Sequence, residues 1–465
     1  MQRMLSTASG GALLIGSLML ARWLYVQTRR VVLQPTPYTT PPLGPAEVAP
    51  QRRRIVVSDL HLGGGDRLDD FTDDATFAQF IDHYVAGGEP TDLILAGDSF
   101  EFLQIRLPDV ADDDYSQAAA LARIAVIVAA HRPFFAALAR FVADPHQQLT
   151  ILIGNHDFEL HYPAVKAHIA TTIGLSPNDP RLRFGLDYHG GGVYIVHGNQ
   201  FDLWNRFVHF AGISEPFEVV RGSQLVKEVI NDLEDDPLPF AALIDNVKPT
   251  SALFWYLVAL PRLRDAASRR FLARGIAGFI QVVAWPTPHH MPLELRGPGD
   301  LLRGLPLGKL GQLATSFRRG RVARHREVAR QVGAVVGGME PPGDMIDQMQ
   351  SEAVRQIERE RRAFNDRFAR EMRKLAHKPK HQHDSIFVCG HTHLARIVPL
   401  GHNQTYINIG TWTEIIQNVA TMRRQEQRYP FLEITYHQGS TPHARLLVWE
   451  GPDQAPHPWH EGWRR

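Results

Sequence analysis

The chain has a single cysteine, Cys389, in 465 residues, so no intrachain disulfide can staple it. A reducing compartment fits that usage, and stability must come from a core. With 44% hydrophobic and 21% charged residues, the chain is long enough to bury one, with room for insertions. Cys389 ends the apolar run Ile386-Phe387-Val388, the setting of a buried structural thiol rather than a nucleophile. Also missing is an excess of either charge: a formal net charge of +1 says nothing by itself about partners. No internal repeat and no recognised nucleic-acid motif is present. The internal apolar stretches Ser251–Leu260 and Phe271–Trp285 are too short and interrupted to read as membrane spans. They read as a cap, as helices that enter a membrane surface, or as helices packed only on each other.

The informative charge is local. From Arg262 to Arg330 there are 14 Lys or Arg against four acids, net +10. Such a stretch is either a solvated basic helix face or an attractor for a lipid headgroup, a nucleic acid or another polyanion. At the N-terminus, Ala8 to Val26 is apolar or small apart from Arg22, close to the roughly 20 residues that span a bilayer. Arg3 precedes this run, while Arg29 and Arg30 follow it, a bias that puts the remaining chain on the cytoplasmic side of the membrane. A cleaved signal peptide, giving an exported form, and an amphipathic surface helix are the rival readings. The proline-rich segment from Pro35 to Pro50 reads as an extended tether.

Short apolar runs, Arg54–Ser58, Asp92–Ala96 and Leu149–Ile153, alternate with helical stretches at Thr72–Ala86 and Ala118–Phe141, the second interrupted by Pro133. This predicts an α/β core with a site at the strand ends. Val193–Val196 and Ser385–Cys389 continue the sheet. Arg396–Val398, Thr405–Ile409, Phe431–Tyr436 and Ala444–Trp449 complete it with mainly antiparallel strands. Between the two groups lies an insertion that includes a charged helix at about Asp344–Lys374. The expected division is 1–34 membrane-anchor candidate, 35–53 linker, 54–204 first part of the core, 205–383 helical basic insertion or cap, 384–450 second part of the core, and 451–465 tail.

Five polar motifs follow five of the strands. Asp59-Leu60-His61 presents a carboxylate and an imidazole on one side of an extended chain, since residues i and i+2 point the same way. Gly97-Asp98 sets a second carboxylate beyond a turn. Gly154-Asn155-His156-Asp157 offers a neutral carbonyl ligand in Asn155, a proton donor in His156, and in Asp157 a group that orients its neighbours. His197-Gly198 supplies another imidazole, and Gly390-His391-Thr392-His393 two more. With 23 histidines in the chain, each alone reads as an ordinary polar residue; five motifs at five strand ends read as a metal site.

In this order the motifs resemble the calcineurin-like metallophosphoesterase family over about Ile55 to Trp412, the insertion excluded. The resemblance implies a β-sandwich flanked by helices. It implies Asp59, His61, Asp98 and His393 as ligands of one metal, with Asp98 bridging to a second held by Asn155, His197 and His391. His156 becomes the catalytic histidine outside the ligand set, paired with Asp157. Two divalent cations about 3.5 to 4 Å apart hold a bridging hydroxide for in-line attack on phosphorus, while His156 donates to the developing charge or protonates the leaving oxygen. The mixed donors suit Mn first, with Fe or Zn as alternatives.

A narrower resemblance, carried by Asp59-Leu60-His61-Leu62-Gly63 and Gly97-Asp98-Ser99-Phe100-Glu101, is to the UDP-2,3-diacylglucosamine pyrophosphatases. This chain departs from them at His156, where Arg is usual, at Asn199, where Asp is usual, and in its long insertion. The expected function is therefore hydrolysis of a phosphodiester or pyrophosphate, with an anionic, lipid-linked substrate favoured by the anchor candidate and basic insertion. Phe201 and Trp204 would shelter its hydrocarbon, or else simply pack. Protein phosphatases and nucleotide phosphodiesterases or nucleases share the metal chemistry, so nucleic acid stays open as a partner. A non-catalytic metal-stabilised binding scaffold would show damage to the ligands or to His156, and none is visible.

Overall fold

A computed structural model of the chain describes residues 33–44, 48, 52–86, 89–234, 366–418, 427–436 and 441–460, with isolated positions between them. The N-terminal apolar run and, isolated positions apart, the basic stretch and the apolar helical candidates of the insertion lie outside the described residues. In chain order the strands are β1 (Gln34–Thr39), β2 (Arg53–Val57), β3 (Thr91–Ala96), β4 (Gln148–Leu152), β5 (Leu182–Gly185), β6 (Asp187–Gly190), β7 (Val193–Val196), β8 (Gly212–Glu215), β9 (Ile386–Cys389), β10 (Arg396–Gly401), β11 (Gln404–Asn408), β12 (Ile416–Asn418), β13 (Arg423–Arg424), β14 (Pro430–Tyr436), β15 (Pro442–Val448) and β16 (His457–Pro458). The helices used below are α1 (Asp74–Phe80), α2 (Gln117–Ala130), α3 (Arg132–Ala143), α4 (Pro163–Thr172) and α5 (Arg221–Leu225).

Two mixed sheets form the body. One runs β16-β15-β14-β2-β3-β4-β5, with β2 through β5 parallel; the other runs β10-β11-β9-β7-β6, with β11, β9 and β7 parallel. Alternation along each strand sorts its side chains into layers. Ile55 and Val57 of β2, Leu93 and Leu95 of β3, and Leu149 and Ile151 of β4 pack with Phe77, Ile124, Phe134 and Ile169 of α1 to α4. Their neighbours Val56, Ile94 and Leu152 join Val193, Ile195, Val388 and Ile407 in a core between the sheets. On the outer side, Tyr194, Val196, Phe387 and Cys389 pack under the helical residues 366–376 through Phe368, Met372 and Leu375. Truncating a side chain such as Val56 or Ile94, both fully buried, would cost about 2 to 5 kcal/mol.

The expected α/β class is the class adopted. At Pro133, expected as a kink or a boundary, the helical stretch divides: two helices, α2 and α3, meet at 89°, with the proline in the first turn of α3, where it loses no hydrogen bond. The proline-rich segment differs from a free tether: β1 pairs with β8 from within the segment assigned to the insertion, and Leu43 and Val48 are buried. Pro at an edge strand costs no ladder bond, so β1 tolerates it. Among the described residues, no single helix is long and apolar enough to cross a membrane.

Candidate metal centre

The parallel strands β2, β3 and β4 of one sheet and β7 and β9 of the other end on one side of the molecule, and within about three residues beyond them stand Asp59, Asp98, Asn155, His197 and His391. His61 and His393 follow two residues after the first and last. Asp59, His61, Asp98, His391 and His393 all have positive φ, between 49° and 64°, in the left-handed region that non-glycine residues rarely enter. Strain concentrated on these residues marks a place where the surroundings over-determine the backbone. Close packing adds to it: a Cβ on Gly154 would overlap Asp98, and one on Gly390 would overlap Asp59 and Ser58. Glycine at both places lets adjacent loops bring their carboxylates together.

Two clusters result, each of which could hold a metal ion. In the first, His61 Nε2 and His393 Nε2 are 3.1 Å apart, and His393 Nε2 is 3.2 Å from Asp59 Oδ1. In the second, Asp98, His197 and His391 converge, with His197 Nε2 3.0 Å from Asp98 Oδ2 and the His197 and His391 rings 5.2 Å between centroids. The groups adjoin, because the His391 amide donates to both Asp59 oxygens at 3.0 Å. Asn155 Nδ2 donates to Asn205 Oδ1 at 3.4 Å, while Asn155 Oδ1 is buried without a hydrogen-bond partner.

These donors suit divalent cations. His61 Nδ1 donates to Glu101 Oε2 at 2.7 Å and His197 Nδ1 to the Ala96 carbonyl at 3.1 Å, since neither acceptor carries a proton to give. Each ring is thereby oriented with its Nε2 toward the neighbouring candidate residues, the arrangement in which imidazole, on giving up its Nε2 proton, binds a metal. Burial alone would raise the Asp59 and Asp98 carboxyls, but neighbouring imidazoles outweigh it, those of His393 and His197 for Asp59 and those of His197 and His156 for Asp98, and hold both below the usual range and ionised. Burial opposes charge on His197, yet Asp98 raises its basicity above normal. An orphaned amide oxygen among ionised carboxylates and oriented imidazoles is a mixed oxygen and nitrogen set of the kind that holds Mn, Fe or Zn.

The pairing of His156 with Asp157 needs correcting. Asp157 accepts from the Ser99 amide at 2.8 Å and the Gly154 amide at 2.6 Å, so both its oxygens hold backbone of the two ligand loops. Burial and the nearby Asp98 push its carboxyl above the usual range. The carboxylate beside His156 is Glu101, whose Oε2 is 2.5 Å from His156 Nδ1 and also receives His61. Glu101 is fully buried. Burial acts to raise it, but His156 and His61 hold it below its usual range. It was visible as the last residue of Gly97-Asp98-Ser99-Phe100-Glu101, but nothing in the spacing gave it a partner. Asp202 was also missed; its Oδ2 lies 3.3 Å from His391 Nε2. Asn199 donates to the Asn205 carbonyl at 3.0 Å. Phe201 packs beside the outer core, and Cys389 is a buried thiol pushed up to about 12 by desolvation.

No known family model matches the chain, and no curated protein matches it.

Proposed function

We propose that the chain is a dinuclear metal-dependent hydrolase of phosphodiesters or pyrophosphates, with the sandwich of a calcineurin-like metallophosphoesterase. The observation that carries this reading is the meeting of Asp59, His61, Asp98, Asn155, His197, His391 and His393 beyond the ends of five parallel strands. Asp59, His61 and His393 would hold one cation, and Asn155, His197 and His391 the other, with Asp98 between them. Bound there, two divalent ions, Mn foremost, would neutralise phosphate oxygens and activate water. His156 stands beside this group, its ring 4.7 Å from that of His61. Glu101 at Nδ1 fixes that ring and offsets positive charge on it, leaving Nε2 to pass a proton to the leaving oxygen. Burial of the site strengthens these charge interactions.

The test is hydrolysis by the full, Mn-loaded chain of a panel holding simple phosphodiesters, nucleotide pyrophosphates, lipid-linked pyrophosphates, phosphopeptides and nucleic acids. Turnover of a diester or pyrophosphate that falls about 10²- to 10⁴-fold in His156→Ala, with metal content unchanged, is the expected result. No turnover of any member, with both metal sites filled, would reject it. We further propose membrane association through the N-terminal run, with the catalytic body on the cytoplasmic side and an amphiphilic anionic substrate. Equal fractionation of the full chain and of a form lacking residues 1–34 would reject the anchor.

A further inference from the structure

Two histidines and an acid meet at the end of the five-stranded sheet opposite the candidate metal centre. His189 lies on β6, where it pairs with Tyr194 near the start of β7. His381 closes a 3-10 turn, Pro379–His381, and Asp384 stands two residues before β9. Because β7 and β9 run from this end toward His197 and His391, the strands themselves hold the two groups of residues apart. At about 3.3 Å per residue, the chain from Asp384 to Gly390 spans on the order of 20 Å.

The geometry is that of a ligand set. His189 Nε2 is 2.8 Å and His381 Nδ1 2.7 Å from the same oxygen, Asp384 Oδ2, and the two rings lie 5.0 Å apart between centroids. One ligand atom from each of the three residues lies within 4.8 Å of the others. His381 and Asp384 are buried, whereas the His189 side chain keeps 29% exposure, which gives an ion a way in from one side. Around them, the Asp384 amide donates to the His381 carbonyl at 3.1 Å, and Gln404 of β11 donates to the carbonyls of His381 and Asp384 at 3.4 and 3.0 Å. Tyr194 walls the cluster, its ring 4.5 Å from that of His381 and 5.7 Å from that of His189. Both rings and the acid are thus held in place by the fold.

Hydrogen bonding does not account for His381. The ring is fully buried, and its Nε2 has no hydrogen-bond partner, so Nδ1 on Asp384 is all that offsets its desolvation. A bond from nitrogen to a cation is far stronger than the hydrogen bond it replaces, and offsets burial that the hydrogen bond does not. Burial also outweighs Asp384 and holds His381 below the usual imidazole range, uncharged at neutral pH, the state in which a ring binds metal. The tract 377–384 carries three histidines besides Asp384, a composition that goes with metal binding.

We propose that His189, His381 and Asp384 form a further metal site, separate from the candidate centre, that takes zinc. Two imidazoles and one carboxylate favour zinc over magnesium, calcium and manganese. Bonds of about 2.0 to 2.1 Å in a tetrahedral site set neighbouring donors about 3.3 Å apart, so the ion widens each nitrogen–oxygen pair by about 0.5 Å as it takes the place of the shared protons. His189, partly exposed, is the ligand with room to make that shift, and water fills the fourth position. The ion ties β6, the edge strand of its sheet, to the turn that leads into β9. The site does not depend on the hydrolase reading above.

The test is the zinc content of the full chain, stripped with a chelator, exposed to excess zinc and freed of loose ion by gel filtration, in wild type, Asp384→Asn and His189→Gln. Each variant should hold one zinc equivalent fewer per chain than wild type, whatever the candidate centre retains. Calorimetric titration with zinc should show one class of site weakened by at least about 100-fold. Asn and Gln keep hydrogen-bonding groups of similar shape, so a cluster held by hydrogen bonds alone would leave the zinc content unchanged. The rise in melting temperature on adding zinc should be smaller in both variants, with the metal-free melting temperature of His189→Gln near that of wild type. Loaded with cobalt instead, wild type should show visible absorption of a four-coordinate ion that is reduced in His189→Gln. Equal zinc content in wild type and His189→Gln overturns the proposal, even if Asp384→Asn fails to fold. Loss of all metal from His189→Gln together with a collapsed melting transition overturns it too, since His189 would then be structural.

Discussion

Two buried acids three residues or fewer from a proposed ligand do different work, and substitution should separate them. Among the described residues, the Glu101 carboxylate accepts from two imidazoles and one backbone amide, with Oε2 shared between His61 and His156 and Oε1 receiving Leu103 N at 3.1 Å. Glu101→Gln keeps the shape but removes the charge that orients both rings. Turnover or metal affinity should fall about 10- to 100-fold, the usual cost of losing a group that orients metal-binding imidazoles, with little change in melting temperature. Asp157 holds two backbone amides of the ligand loops. In Asp157→Ala those donors are orphaned at about 1 to 3 kcal/mol each, so the loss should appear first in thermal stability. If instead Asp157→Ala retained full stability and lost turnover while Glu101→Gln stayed active, the assignment of His156 to Glu101 would be wrong.

Between elements, the corner joining α2 to α3 carries a pH-sensitive contact away from the proposed ligands. His131 ends α2 and precedes α3; its Nε2 is 2.9 Å from Asp69 and its Nδ1 3.0 Å from Asp74. Asp69 also receives the amides of Gly63, Gly65 and Phe71, so the corner braces the loop that follows His61. Burial alone would lower the His131 pKa, but the two carboxylates raise it to about 9, against 6.5 in the unfolded chain. A raised folded-state pKa means that this stabilisation is complete below pH 6.5 and is lost as pH rises through about 9. Melting temperatures at pH 6 and pH 9.5 should therefore differ more for wild type than for His131→Gln, and equal differences would sink the idea. Such corners were hard to read in sequence, because His131, Asp69 and Asp74 become neighbours only through helix packing. The strands were legible where apolar runs end in polar motifs, as at Ile55-Val56-Val57 before Asp59. β5, β6 and β8 were not, since Leu182–Gly185, Asp187–Gly190 and Gly212–Glu215 are short and mixed in polarity. The seven ligand candidates were legible because strand direction carried them to one end. Glu101 and Asp202 act through contacts that no spacing rule encodes.

At the scale of the whole molecule, the proposed centre draws on both sheets. Asp59, His61, Asp98 and Asn155 follow strands of the seven-stranded sheet, and His197, His391 and His393 follow strands of the five-stranded one. Apolar side chains such as Val56 and Val388 fill the space between the sheets, and beyond them the proposed cations would clasp the two sheet ends together. Without metal the same end holds ionised Asp59 and Asp98 at close quarters, offset by imidazoles, two of which face one another at 3.1 Å. Metal binding should therefore stabilise the fold as a unit, by about 2.7 kcal/mol per site at a free concentration a hundredfold above the dissociation constant. For a chain of 465 residues, with about 2.1 cal/mol/K of unfolding entropy per residue, that corresponds to a rise of roughly 3 °C for one site. Calorimetry of the full chain, stripped with a chelator and then titrated with Mn, should recover that rise in a single cooperative transition. His393→Ala should recover only part of it, because one group has lost a ligand while Asp98, Asn155, His197 and His391 remain. A melting temperature identical with and without bound metal would mean that the ligands do not join the sheets, even if the ions are present for chemistry.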